Sequence, residues 1–115
     1  MYEYSLTHTI NEALQDLCVK LGWKKINRLT VKIGGMRPVN PELMAFIFSA
    51  ETKNTPVEGA DFSVMLIPIT YYCRNCKRRS MREDTKLLCP YCGSKNVQLL
   101  SGLEFTVEVL EFESN

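Results

Sequence analysis

The chain has 115 residues, of which 45% are hydrophobic and 23% charged, with a formal net charge of +1. That length suits one compact domain with a small appendage, and the composition is that of a folded soluble chain rather than a disordered or fibrous one. The longest apolar stretch, Val64 to Ile69, is too short to cross a bilayer and contains Pro68, so no membrane span is expected.

The N-terminus carries Glu3 and lacks the positive start and unbroken apolar segment of a secretory signal, from which a cytoplasmic location is expected. Leu6, Ile10, Ala13, Leu14, Leu17, Cys18 and Leu21 recur at helical spacing, with Ser5 as N-cap and Gly22 as C-terminal stop. Cys18 falls on this stripe and reads as a small buried hydrophobe. His8, the only histidine, lies off the stripe and reads as an exposed helix residue. Leu29, Val31 and Ile33 alternate with Thr30 and Lys32, which predicts a strand covered on one face and ended by Gly34 and Gly35. In the next helix Asn40 supplies the N-cap, Pro41 suits the first position and Glu42 lies near the positive end. Leu43, Met44, Phe46, Ile47, Phe48 and Ala50 make it heavily apolar, and a well-buried helix is expected.

A polar stretch through Asn54, Pro56 and Gly59 leads to a second strand in which Phe62, Val64 and Leu66 share a face. Pro68 puts its end at an edge or an exit. Leu103, Phe105, Val107 and Val109 alternate with Glu104, Thr106 and Glu108 as a last, half-buried strand. The order helix, strand, helix, strand, cysteine insert, strand predicts an α+β fold: two helices packed on one face of a three-stranded sheet, with an inserted zinc ribbon.

Of five cysteines, Cys73, Cys76, Cys89 and Cys92 form two Cys-x2-Cys pairs separated by twelve residues. An odd count in this pattern fits a reducing compartment and a metal better than disulfides. Each short spacing lets a tight turn aim both sulfurs at one ion, and two such turns complete the tetrahedral thiolate cage that zinc favours. Iron in a four-thiolate centre is the competing metal. With four protein ligands no position is left for water or substrate, so the site is structural rather than catalytic. Gly93 follows the second pair where a positive φ is often needed, and Lys77 follows the first, where its charge offsets the thiolates.

Residues 71–100 hold seven of the fourteen basic residues, Arg74, Lys77, Arg78, Arg79, Arg82, Lys86 and Lys95, against Glu83 and Asp84 alone. A zinc tetrathiolate carries minus two, which absorbs part of that excess. Phosphate binding by Arg78, Arg79 and Arg82 is the functional alternative, but the near-neutral chain and the lack of an aromatic stacking row do not favour nucleic acid. No nucleophile with a base, no phosphate loop and no open metal site marks an enzyme.

The opening Met1-Tyr2-Glu3-Tyr4-Ser5-Leu6, the Gly-rich turn after the first strand, the paired knuckles, Gly93-Ser94-Lys95-Asn96 and the closing strand at Gly102 together resemble the HypA/HybF family of nickel metallochaperones. The resemblance implies nickel delivery during maturation of nickel-iron hydrogenase, with a HypB GTPase and the hydrogenase large subunit as partners. It also implies a nickel-binding domain over 1–70 plus 101–115 and a zinc ribbon domain over 71–100. The family's chains begin Met-His-Glu, where a terminal amine, backbone amides and an imidazole give nickel a square of nitrogen donors. Here Tyr2 stands in the histidine's place, leaving Met1, Tyr2 and Glu3 as the nickel candidates. A phenol is protonated at neutral pH and offers a hard oxygen, a poor replacement for imidazole. Asn40 falls where the family often has an acidic residue near nickel, and His8 is the one imidazole available as a substitute. Two readings follow: a chaperone with transient nickel and structural zinc, or a divergent zinc-ribbon paralogue that lacks autonomous nickel binding and acts as a protein-docking module.

Overall fold

The structure is a computed structural model that describes residues 2–115. Met1, named above as a nickel candidate, lies outside the described residues. The elements in chain order are α1 (Tyr2–Leu21), β1 (Trp23–Gly34), α2 (Pro41–Glu51), β2 (Asp61–Ile67), β3 (Ile69–Cys73), β4 (Arg79–Arg82), β5 (Val97–Ser101) and β6 (Phe105–Ser114). They form two three-stranded sheets, ordered β2-β1-β6 and β4-β3-β5. The chain divides into two compact units: Met1–Val31, Val39–Val64 and Val107–Asn115 make the first, Lys32–Pro38 and Met65–Thr106 the second.

In the first unit α1 packs on α2, and Phe48 of α2 stacks on Phe62 of β2 at 4.4 Å. A narrow apolar groove runs between Ile10, Ala13, Leu14 and Leu17 of α1 and Val107 and Val109 of β6. The helices therefore cover the sheet face that carries Phe62, Val64, Val107 and Val109. The core is Ile10, Leu14, Cys18, Ile26, Leu29, Val31, Met44, Ile47, Phe48 and Val57. Each large member contributes about 1.5–3 kcal/mol by leaving water. The opposite face is polar, with Thr30 bonded to Ser63 and Arg28 paired to Asp61 and Glu111. The pairs Arg28–Asp61 and Thr30–Ser63 keep one offset, which makes β1 and β2 parallel, with α2 as the crossover that parallel strands require.

Several local expectations are corrected. Helix α1 begins at Tyr2, so Ser5 lies within its first turns and its carbonyl accepts the Thr9 hydroxyl instead of Ser5 capping the helix. Its buried line is Thr7, Ile10, Asn11, Leu14 and Cys18. Ala13 and Leu21 are exposed, because the contact with α2 draws polar Thr7 and Asn11 inward. Gly22 does end the helix, at φ +68°. In α2, Phe46 and Ala50 face solvent, and only the line Met44, Ile47 and Phe48 is buried, against α1 and the sheet residue Phe62. In β2, Phe62 and Val64 are half-buried but Leu66 is exposed, since the alternation breaks after Val64 where the chain passes into the second unit. Leu103 precedes β6 and is exposed, because Gly102 turns the chain there at φ +128°.

The second unit holds a sheet that the spacing of apolar residues does not announce. β3 pairs antiparallel with β4 and with β5, with Tyr71 opposite Ser80 on one side and Leu99 on the other. Ile69, Tyr71 and Cys73 point inward. Tyr71 is fully buried and its hydroxyl donates to the Lys86 carbonyl, satisfying the one polar atom this ring brings inside. At Gly34 the backbone runs against Gly102, and a Cβ there would sit 2.1 Å from the Gly102 carbonyl group. Gly34 N–H donates to Glu104 O at 2.7 Å and Met36 N–H to Gly102 O at 2.8 Å.

Candidate metal sites

The two cysteine pairs are built alike. Cys73 N–H donates to Arg78 O and Lys77 N–H returns to Cys73 O, at 2.9 and 2.8 Å. Cys89 N–H donates to Ser94 O and Gly93 N–H returns to Cys89 O, both at 2.9 Å. These rings close only if the residue after each pair turns left-handed, and Lys77 and Gly93 do so at φ +60° and +74°. For Gly93 this conformation is free of Cβ strain; Lys77 adopts it at a cost of about 1–2 kcal/mol. The turns bring the four sulfurs within 4.8 Å of one another. Cys73 Sγ lies 3.6 Å from Cys92 Sγ, and Cys76 Sγ lies 3.6 Å from Cys89 Sγ. A tetrahedral zinc with bonds of about 2.3 Å sets its sulfurs about 3.8 Å apart, so donor type, number and spacing fit a structural zinc ion.

The protonation of the thiols points the same way. Burial and the neighbouring Cys89 and Cys73 sulfurs push Cys76 up to about 12. Cys89 is held at about 6: burial opposes the shift, but the N–H groups of Cys92 and Tyr91 and the adjacent thiols overcome it. Four sulfurs this close resist ionising together, and a divalent cation at their centre removes that conflict.

At the start of α1, the Glu3 carboxylate accepts the Asn40 N–H at 3.1 Å. Asn40 in turn caps α2, its side-chain oxygen accepting Leu43 N–H at 3.1 Å. The structure thus brings together Glu3 and Asn40, two of the residues singled out in the sequence, while Tyr2 on the same helical turn is 42% exposed. His8 does not join them. Its Nε2 pairs with Glu12, its Nδ1 meets Glu51 Oε1 at 3.2 Å, and its ring stacks parallel to Tyr4. Both ring nitrogens are thus occupied by carboxylates along α1 and from the end of α2. Sequence reasoning missed Glu51 because it lies 43 residues from His8. The left-handed Lys77 was readable in principle, from its equivalence to Gly93.

Cys18 is buried at 3% exposure, and that burial pushes its thiol up. Of the three arginines weighed for phosphate, Arg82 is committed to its own loop, bound through two nitrogens to Asp84 and through a third contact to Leu88 O. Arg78 lies over the Tyr91 ring at 5.0 Å.

Paired cysteine knuckles on an α+β fold define a metal-binding protein, and the four sulfurs together complete the coordination of one tetrahedral ion. The family model described as "Hydrogenase/urease nickel incorporation, metallochaperone, hypA" matches residues 1–112, and the chain belongs to that family. Hydrogenase maturation factor HypA of Albidiferax ferrireducens is 31% identical over 98% of this chain and 100% of its own. The Aquifex aeolicus factor of the same name is 28% identical over 98% of each. In fold, the chain is similar to the solution structure of the Ni metallochaperone HypA from Helicobacter pylori, with TM-score 0.61 and 23% identity over 97% of this chain and 96% of that one. The family is one of metallochaperones in hydrogenase and urease nickel incorporation. No described helix is long and apolar enough to cross a membrane.

Proposed function

We propose that the chain is a cytoplasmic metallochaperone that carries nickel, as transient cargo, during maturation of a nickel-iron hydrogenase. It works with a HypB-like GTPase and the hydrogenase large subunit, and it catalyses no reaction of its own. Nickel binding is assigned to Met1, Tyr2 and Glu3 in a domain over 1–70 plus 101–115. The ribbon over 71–100 holds structural zinc through Cys73, Cys76, Cys89 and Cys92. The observation that carries the reading is the family match from residue 1 to residue 112, which takes in both the N-terminal segment and the knuckles.

A second reading is favoured by two specific observations: Tyr2 stands where an imidazole is expected, and His8 is held between Glu12 and Glu51. In that case the chain is a docking module without autonomous nickel binding. Titrating nickel into the zinc-loaded protein, beside Tyr2→His, separates the two. Micromolar binding by the unaltered chain supports the chaperone. Binding gained only with Tyr2→His supports the docking module and overturns the first reading.

A further inference from the structure

The second unit carries nine Lys and Arg against three Asp and Glu, whereas the first carries five against ten. Even with minus two from a zinc tetrathiolate the second unit keeps a clear positive excess. On its sheet this charge borders apolar surface. A cavity of about 510 Å³ is lined by Thr70 of β3, Arg79, Ser80 and Met81 of β4, Leu100 of β5 and Tyr91 from the second knuckle. Met81 is 67% exposed, Tyr91 58% and Leu100 42%.

These side chains are not spilling out of a core that lacked room. Along β3 the inward line is Ile69, Tyr71 and Cys73, while Thr70 faces the other way with its ladder partner Met81. The sheet has therefore filled one face with its own core and left methionine and leucine on the other, where Tyr91 joins them from the knuckle. Methionine, tyrosine and arginine are the residue types enriched where interfaces are buried, and methionine adapts to varied partners. Arg78 is stacked over Tyr91 and Arg79 lines the cavity itself, so two guanidinium groups flank the apolar floor. β4 is also an edge strand of its sheet, which leaves a backbone ladder open beside the cavity.

We propose that this face is a docking surface for an extended acidic segment of another protein, which lays apolar side chains over Met81, Tyr91 and Leu100 and pairs its carboxylates with Arg78 and Arg79. The charge selects the partner's sign, a floor with one aromatic ring rather than a row of them favours a peptide over a base-stacking nucleic acid, and the open edge of β4 suits an extended backbone. This surface does not depend on the nickel reading, since none of its residues is a nickel candidate.

The test uses the full zinc-loaded chain, labelled for NMR, with a blocked hexapeptide alternating glutamate and leucine. Saturable shifts confined to Met81, Tyr91, Leu100 and their strand neighbours are expected. Exchanging the peptide's glutamates for lysines, or Arg79→Glu in the protein, should weaken binding about tenfold or more. Met81→Ser should weaken it as well, while Leu87→Ser, on exposed loop surface outside the cavity, should not; unchanged zinc content and amide spectra establish that each variant is folded. Equal binding of the lysine peptide, no saturation at millimolar peptide, or shifts elsewhere on the chain would overturn the proposal. So would a single-stranded oligonucleotide that takes the same surface more tightly, or concentration-dependent shifts there without peptide, which would make the occupant a second copy.

Discussion

The Glu3 carboxylate holds the backbone N–H of Asn40 at 3.1 Å, across 37 residues of sequence. One side chain thereby ties the first turn of α1 to the cap of α2, and the residue that caps α2 does so with a different atom, Oδ1, bonded to Leu43. The segment in which nickel is proposed to bind is therefore anchored to the helix pair at its third residue.

Because the two bonds use different atoms of Asn40, their losses should add. Asn40→Ala removes the cap and is expected to cost about 1 kcal/mol, while leaving the N–H that Glu3 accepts. Glu3→Ala removes the other bond, again at about 1 kcal/mol. A double-mutant cycle over this touching pair measures their coupling, and a double variant that loses about the sum marks the two bonds as independent. Urea unfolding followed by the fluorescence of Trp23, the only tryptophan, reads this, since Trp23 is stacked on Phe112 within the first unit. A double variant no worse than either single one would show that the two bonds form one cooperative element.

Gly34→Ala should be among the most damaging single-methyl changes in the chain. The added Cβ meets backbone atoms at 2.1 Å, which no side-chain rotation relieves. A loss of about 3 kcal/mol or more is expected. Gly22→Ala, where nothing lies within 4 Å and only φ +68° opposes a side chain, should lose about 1–2 kcal/mol. Thermal melts of the two variants should keep that order.

Cys76→Ser should release zinc and unfold the second unit, while Trp23 emission and the helical circular dichroism of the first persist. Within the knuckle, Gly93→Ala has no steric neighbour and suffers only from its φ of +74°, so about 1–2 kcal/mol of zinc affinity is at stake. Gly93→Asn should lose less, as asparagine tolerates that conformation. Competition with a chromophoric chelator measures all three. Equal losses for Gly93→Ala and Gly93→Asn would disprove the backbone explanation.

Tyr4 should titrate above its ordinary 10.0, because the nearby Glu51 carboxylate favours the neutral phenol and repels the phenolate. A raised value favours the neutral form in the folded chain. Its contribution to stability is therefore complete below 10.0 and is lost as pH rises through the raised value. Glu51→Gln removes the charge and should return the titration toward 10.0, as followed by the Tyr4 ring resonances. No movement in that variant would reject Glu51 as the cause.

Much of this was legible where a local rule acts alone. Asn40 and Pro41 open α2 as capping chemistry demands, Gly22 ends α1, and the cysteine spacing predicts a sulfur cluster that the fold assembles. Departures arise where a distant neighbour decides. Phe46 is as apolar as Phe48, yet only Phe48 finds Phe62. Gly34 reads as a strand terminator, although its indispensable role is the close passage of Gly102, distant in sequence. The small sheet of β3, β4 and β5 was hidden because its strands span four or five residues each and carry arginine, serine and glutamine among the apolar positions. His8 is exposed, as its place off the apolar stripe predicts, but its engagement by Glu51 depends on the pairing of α1 with α2, which no periodicity encodes.

The two units divide the chain's charge unevenly. A formal net charge of +1 suggests a chain nearly indifferent to ion-exchange media. Yet one unit carries twice as many acids as bases and the other three times as many bases as acids. Such a molecule should be retained by both anion and cation exchangers near neutral pH, and released from each by modest salt. Its chromatography is set by where its charges gather, while its electrophoretic drift, governed by their sum, stays close to zero.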